Sequence, residues 1–162
     1  MDNNTLFFLA QAAGLLALGL AAIGSGLGIG NAGMAAAGAW AREGRENRNL
    51  TFTYIILLGM PLSQTLYGFI ALNSMAGAMK DLAQDSTDLA LNPQQAGLLA
   101  GIGIACGLAQ LFSAWMQGKI GAAGIRALVE NGGKGFAFII IAMGVAETVG
   151  IFGMVFVLGM IP

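Results

Sequence analysis

The stretch Gly135-Phe136-Ala137-Phe138-Ile139-Ile140-Ile141-Ala142-Met143-Gly144-Val145-Ala146-Glu147-Thr148-Val149-Gly150-Ile151-Phe152-Gly153-Met154-Val155-Phe156-Val157-Leu158-Gly159-Met160-Ile161 carries one charged residue, Glu147, near its middle. A helix that crosses a bilayer needs about 20 mainly apolar residues. Three earlier runs have the same character: Leu6 to Ala41, Leu50 to Met79, and Gln94 to Val129, the last interrupted only by Lys119 and Arg126. Lipid offers the backbone no hydrogen-bond partner, so each run is predicted to be a helix that satisfies its own. The predicted fold is therefore all-α and integral to the membrane, with four transmembrane helices arranged as two tandem helical hairpins. The first hairpin is residues 1–79, with spans over 6–41 and 50–79. A loop over 80–93 leads to the second hairpin, 94–162, with spans over 94–129 and 135–161. At about 1.5 Å per residue the first and third runs exceed a bilayer and should protrude on one side.

Composition agrees with this reading. Hydrophobic residues make up 57% of the 162, and charged residues only 9%, against about 25% in soluble domains. A soluble domain of this size could not hide so much apolar surface. The net charge of −1 gives no footprint for nucleic acid. One Cys cannot form an internal disulfide, and the absence of His removes the commonest general base. No phosphate-binding G-x-x-x-x-G-K-[ST] is present, so ATP hydrolysis is not expected of this chain.

The flanks predict orientation. The N-terminus has no positive leader and its apolar run is too long for a cleavable signal, so it reads as a retained first span. Arg42, Arg45 and Arg48 follow span one, and Arg126 and Lys134 flank the last turn. Lys80 in the middle loop is outnumbered by Asp81, Asp85 and Asp88. The positive-inside rule places both short basic turns in the cytoplasm and both termini outside, in a multi-pass protein of the cell membrane.

The hairpins repeat. Laying Pro61-Leu62-Ser63-Gln64-Thr65 on Gly144-Val145-Ala146-Glu147-Thr148 puts Gln64 on Glu147, Thr65 on Thr148 and Phe69 on Phe152. Gly38 to Gly44 echoes Gly124 to Glu130 more loosely, at a slightly different shift. Span one is punctuated by Gly14, Gly19, Gly24, Gly26, Gly28, Gly30, Gly33 and Gly38. Small residues let helix backbones approach in lipid, so this helix should form a crowded inner wall. Gly28 to Gly33 spells G-x-G-x-x-G, but no strand precedes it, and a dinucleotide site is not expected.

A carboxylate at the bilayer centre is costly, and such residues are rare and usually functional. Unless a partner pairs with it, Glu147 should be neutral in such a setting. Gln64 lies midway between Arg48 and Lys80. Gln117 lies as far before Glu130 as Glu147 lies after Lys134, so an antiparallel hairpin brings the two to similar depth. Met60, Ser63, Gln64 and Tyr67 share one helical face. Pro61 has no N–H and loosens the ladder there, which frees backbone carbonyls to turn toward a ligand. One carboxylate, two amides, two hydroxyls and a carbonyl form an oxygen-rich set suited to a hard cation. Interhelical hydrogen bonding accounts for the amides equally well. Lys119 either snorkels to the interface or pairs with an acid, and no transport role is assigned to it.

Pro61 to Phe69, Gln117 to Ile125 and Ala146-Glu147-Thr148, on two hairpins with a Gly-rich first helix, resemble the proteolipid (c or K) subunit of rotary V-type ATPases, in its sodium-transporting bacterial branch. The resemblance spans essentially the whole chain. It implies a homo-oligomeric rotor ring that binds one Na+ per subunit through Glu147, Gln117, Gln64, Ser63 and the Met60 carbonyl, with Tyr67 locking the site by a hydrogen bond to Glu147. The family varies at the hydroxyl position, where Ser63 keeps the oxygen. It further implies a stator subunit presenting an Arg, a central-stalk subunit, surrounding lipid, and ATP hydrolysis on other subunits. Because Gln64 stands where the repeat places an acid, one ion is expected per four helices. A ring carrying H+ is the nearest alternative. A small multidrug exporter driven by protons would place its acid in an early helix, and a purely structural bundle or channel would need no ring.

Overall fold

The computed structural model describes residues 3–84 and 92–161. Helix α1 spans Asn3–Arg45, α2 Thr53–Gly59, α3 Ser63–Gln84, α4 Pro93–Glu130 and α5 Phe136–Leu158. A 3-10 turn over Met60–Leu62 joins α2 to α3, so these two form a single span with a tightened waist. Pro61 lies within that turn, where its missing N–H removes a ladder bond. Among the described residues there is no strand. Four helical segments among the described residues are long and apolar enough to cross a membrane: Thr5–Arg45, Thr53–Asp81, Pro93–Glu130 and Phe136–Leu158.

Helix ends differ from the apolar runs for local reasons. Helix α1 continues past Ala41 to Arg45, and Arg42 bonds Glu46 across one turn. The second span starts at Thr53 and not at Leu50, because Thr51 is held in the preceding loop by Glu43. The Glu43 carboxylate accepts from the Thr51 N–H at 2.9 Å, the Thr51 hydroxyl at 2.7 Å and the Tyr54 hydroxyl at 2.9 Å. Trp40 reinforces the loop by donating its Nε1–H to the Thr51 carbonyl. The exposed Glu46 also pairs with Arg48, and these cations, Arg42 first, hold its carboxyl below its ordinary range. Lys80 and Asp81, expected in a loop, stand on α3, while Asp85 and Asp88 lie outside the described residues. Asn92 caps α4 through a capping box with Gln95, with Pro93 in the first turn. Gly132, Gly133 and Gly135 all take positive φ, which lets the chain reverse into α5 within a few residues.

Helices α1 and α4 form the central layer. Helix α3 lies chiefly on α1, and α5 chiefly on α4. The crowded wall is real but confined to part of α1. A Cβ added at Gly118 would fall on the backbone of Gly28, and one at Gly103 on the Ala13 carbonyl. Gly24 abuts the Leu111 backbone, and Gly28 abuts the Ala114 carbonyl and Pro61. Gly19, Gly26, Gly30, Gly33 and Gly38 meet nothing among the described residues. Two apolar clusters cap this layer, one around Leu6, Met75 and Leu99, the other around Leu57, Ile125 and Met143. Between them lies a polar belt.

Two outcomes test this packing. Gly118→Ala should destabilise the folded protein by about 1–3 kcal/mol, the usual penalty of overpacking, whereas Gly77→Ala, with open space around it, should be near neutral in thermal unfolding in detergent. Glu43→Gln should cost about 1–3 kcal/mol, the penalty for disrupting buried hydrogen bonds, with faster hydrogen exchange at the Thr51 amide as its local signature.

Candidate functional site

The belt is built from one face of α4 and the facing sides of α3 and α5. Gln110, Ser113 and Gln117 recur at helical spacing on α4, and all three are buried. Gln64, at the start of α3, is wholly buried against them. Glu147 stands midway along α5 and is partly buried.

Both Glu147 oxygens accept hydrogen bonds. The Tyr67 hydroxyl donates to Oε1 at 2.9 Å, and Gln117 Nε2 donates to Oε2 at 3.2 Å. The second Nε2 proton of Gln117 goes to the Met143 carbonyl at 3.2 Å. Gln117 Oε1 in turn accepts from Gln64 Nε2 at 3.2 Å. The other Gln64 Nε2 proton reaches Ser113 Oγ, also at 3.2 Å. Ser63 Oγ lies 3.1 Å from both Gln64 Oε1 and the Met60 carbonyl. That carbonyl also accepts the Ser63 N–H.

The structure thus brings Glu147, Gln117, Gln64, Ser63, Tyr67 and the Met60 carbonyl into one continuous network, at the shared depth that residue counting implies. The single Ser63 hydroxyl proton serves one of its two acceptors at a time: given to the Met60 carbonyl it fills that oxygen's second lone pair, and turned to Gln64 Oε1 it leaves the Met60 oxygen open to a ligand. Among the described residues no cluster of three or more His, Cys, Asp or Glu exists. Any cation held here would meet one carboxylate and neutral oxygens.

Sequence reasoning misses Ser113 and Gln110. Ser113 donates to the Ala146 carbonyl at 2.8 Å, and Gln110 Nε2 donates to the Gly150 carbonyl at 2.8 Å. The Gln110 Oε1 is buried with no hydrogen-bond partner among the described atoms. The spacing of Gln110, Ser113 and Gln117 is the signal that could have found them. Lys119 pairs with no carboxylate among the described residues. Its Nζ lies 4.1 Å from the centre of the Trp115 ring, a cation–π contact on the face of α4 turned away from Gln117.

Comparison with curated proteins returned no match. The profile of the ATP synthase C-subunit family matches the chain twice, over residues 12–72 and 100–160, once per predicted hairpin. Its members are non-catalytic, ion-translocating proteolipids that form homo-oligomeric rotor rings of helical hairpins beside the other ATPase subunits. With both of its hairpins matched and its four apolar spans in place, this multi-pass membrane chain belongs to the ATP synthase C-subunit family.

Proposed function

We propose that this chain is the rotor-ring subunit of a V-type rotary ATPase and carries one Na+ at Glu147. Family membership already sets aside the exporter and the purely structural bundle. The observation that carries the ion assignment is the surplus of oxygen around one acid. A proton needs only the Glu147 carboxyl and a dry surrounding. Here Gln64 Oε1, Gln117 Oε1 and Ser63 Oγ belong to the same bonded network as that carboxyl. Hard cations take oxygen ligands, and a single negative charge suits a monovalent one.

In this reading Na+ is coordinated by Glu147, Gln117, Gln64, Ser63 and the Met60 carbonyl. Tyr67 holds the carboxylate from the other side through its 2.9 Å bond. The V-type assignment rests on the repeat: Gln64 occupies the first hairpin's counterpart of Glu147, so two hairpins share one acid. An ion entering from an aqueous half-channel neutralises Glu147, and the neutral site crosses lipid at little cost, where a bare carboxylate could not. A stator Arg then displaces the ion into a second half-channel, and a central-stalk subunit transmits the torque. The basic loops face the cytoplasm and the termini face outward, as the distribution of Arg and Lys implies.

Carbodiimide labelling of the purified ring tests the reading, because these reagents attack protonated carboxyls in apolar surroundings. Labelling should map to Glu147 and be suppressed by millimolar Na+ but not K+. Labelling at Glu147 that responds to pH and ignores Na+ would replace the ion with a proton. Gln117→Ala should weaken Na+ protection by about 10-fold or more, the loss of a charge-assisted hydrogen bond and a ligand, while leaving proton-dependent labelling in place. Equal loss of both would favour the proton ring.

A further inference from the structure

Glutamine binds a cation through its carbonyl oxygen and repels it through its amide nitrogen, so the orientation of each buried amide decides whether the site works. The two ends of a side-chain amide are nearly the same size, and only their partners tell them apart. Gln117 is fixed by its α5 partners, since the Met143 carbonyl and the Glu147 carboxylate can only accept from its Nε2. Gln64 has no such pair of obligate acceptors. Its Nε2 faces Gln117 Oε1 and Ser113 Oγ, and a hydroxyl can both donate and accept.

Gln117 Oε1 can only accept, and the proton of Ser113 decides whether Gln64 meets a second acceptor there or a donor. That proton is committed to the Ala146 carbonyl at 2.8 Å, which leaves the oxygen of Ser113 as an acceptor toward Gln64. A flipped Gln64 would set its carbonyl oxygen against two acceptors, Gln117 Oε1 and Ser113 Oγ, and lose both of the hydrogen bonds its Nε2 makes to them. We infer that Ser113, on α4, is a positioning residue that turns the Gln64 carbonyl oxygen toward the ion site and its amide toward α4. This inference rests on the sodium reading of that site.

Gly150 makes the arrangement possible. A Cβ there would lie 2.8 Å from Gln110 Oε1 and 2.9 Å from Ser113 Oγ. Both are side-chain atoms, with Ser113 Cβ behind them at 3.1 Å, so Gly150→Ala would displace the Gln110 amide and the Ser113 hydroxyl. The Ser113 hydroxyl would then lose its line to the α5 backbone, and its proton would become free to compete for Gln64.

The test is the Na+ concentration that half-protects Glu147 from carbodiimide in the intact ring. Ser113→Ala should raise it by about 10–100-fold, the usual effect of removing a group that orients a metal ligand. Ser113→Thr keeps the hydroxyl and should restore the wild-type value. The pH profile of labelling without Na+ should move far less in these proteins, because the Gln64 amide reaches Glu147 only through Gln117. A general packing defect would move that profile as well. Should Ser113→Ala rings fail to assemble, Ser113→Cys carries the same expectation, since a thiol is a weak acceptor, and Gly150→Ala should shift protection in the same direction. Wild-type rings protected by Na+, with unshifted Ser113→Ala or Ser113→Cys rings, would overturn the role of Ser113 alone. Wild-type rings that Na+ never protects would overturn the sodium reading and this inference together.

Discussion

A carboxylate halfway along a membrane span has no water to solvate it, so every partner it needs must be supplied by the protein. Much of the polar architecture follows from that constraint on Glu147. Its oxygens take donors from Tyr67 and Gln117. Gln117 then needs an orienting partner of its own and finds it in the Met143 carbonyl. Its carbonyl oxygen draws in Gln64, and Gln64 draws in Ser113 and Ser63. Each group added to satisfy one polar atom brings another that must be satisfied, and the chain closes on backbone carbonyls of α5 and of the Met60 turn.

Such a network tolerates little play, and the central layer removes it. Gly118 follows Gln117 directly, and it is the residue whose missing side chain lets the α1 backbone approach at Gly28. Gly28 in turn lies against Pro61, within the turn that presents Met60 and leads into Ser63 and Gln64. The tightest glycine contact among the described residues is therefore one residue away from the Glu147 partner on α4, and it touches the kink that shapes the α3 partners. Backbone packing through glycine costs no side-chain entropy and leaves no rotamers to blur the geometry.

The four helices are legible in the sequence because lipid imposes one backbone solution on a long apolar run. The meeting of Gln117 and Glu147 is legible because a tight turn sets depth by residue count alone. Pairings between separate hairpins are harder to read. Gln64 lies at the right depth by its place between Arg48 and Lys80, but its contact with Ser113 depends on how α3 rotates against α4. The spacing of Gln110, Ser113 and Gln117 marks a polar face on α4 but does not say which neighbouring helix each of them meets. The second span starts three residues later than its apolar run, because Leu50 and Thr51 are apolar enough to join a helix and yet do not. Their place in the loop is dictated by the buried carboxylate of Glu43, which prefers three donors from Thr51 and Tyr54 to solvent. The glycines of α1 divide for a similar reason: those turned toward α4 or the second span meet a neighbour among the described residues, and the residue type alone does not say which way each one faces.

Glu147 lies on the least buried of the four spans. In its most apolar window only 11% of α5 is buried within the chain, against 44% for α4. A structural acid would be better protected on α4, enclosed on several sides. On α5 the carboxyl has its polar partners behind it, on α3 and α4, and the apolar flanks of Val145 and Val149 exposed beside it. Within the chain, that arrangement keeps the outer side of the acid apart from the α1–α4 crossing. The inner side of the site is buried against α3 and α4. The open side faces the direction from which, in the proposed mechanism, an ion arrives and a stator charge displaces it.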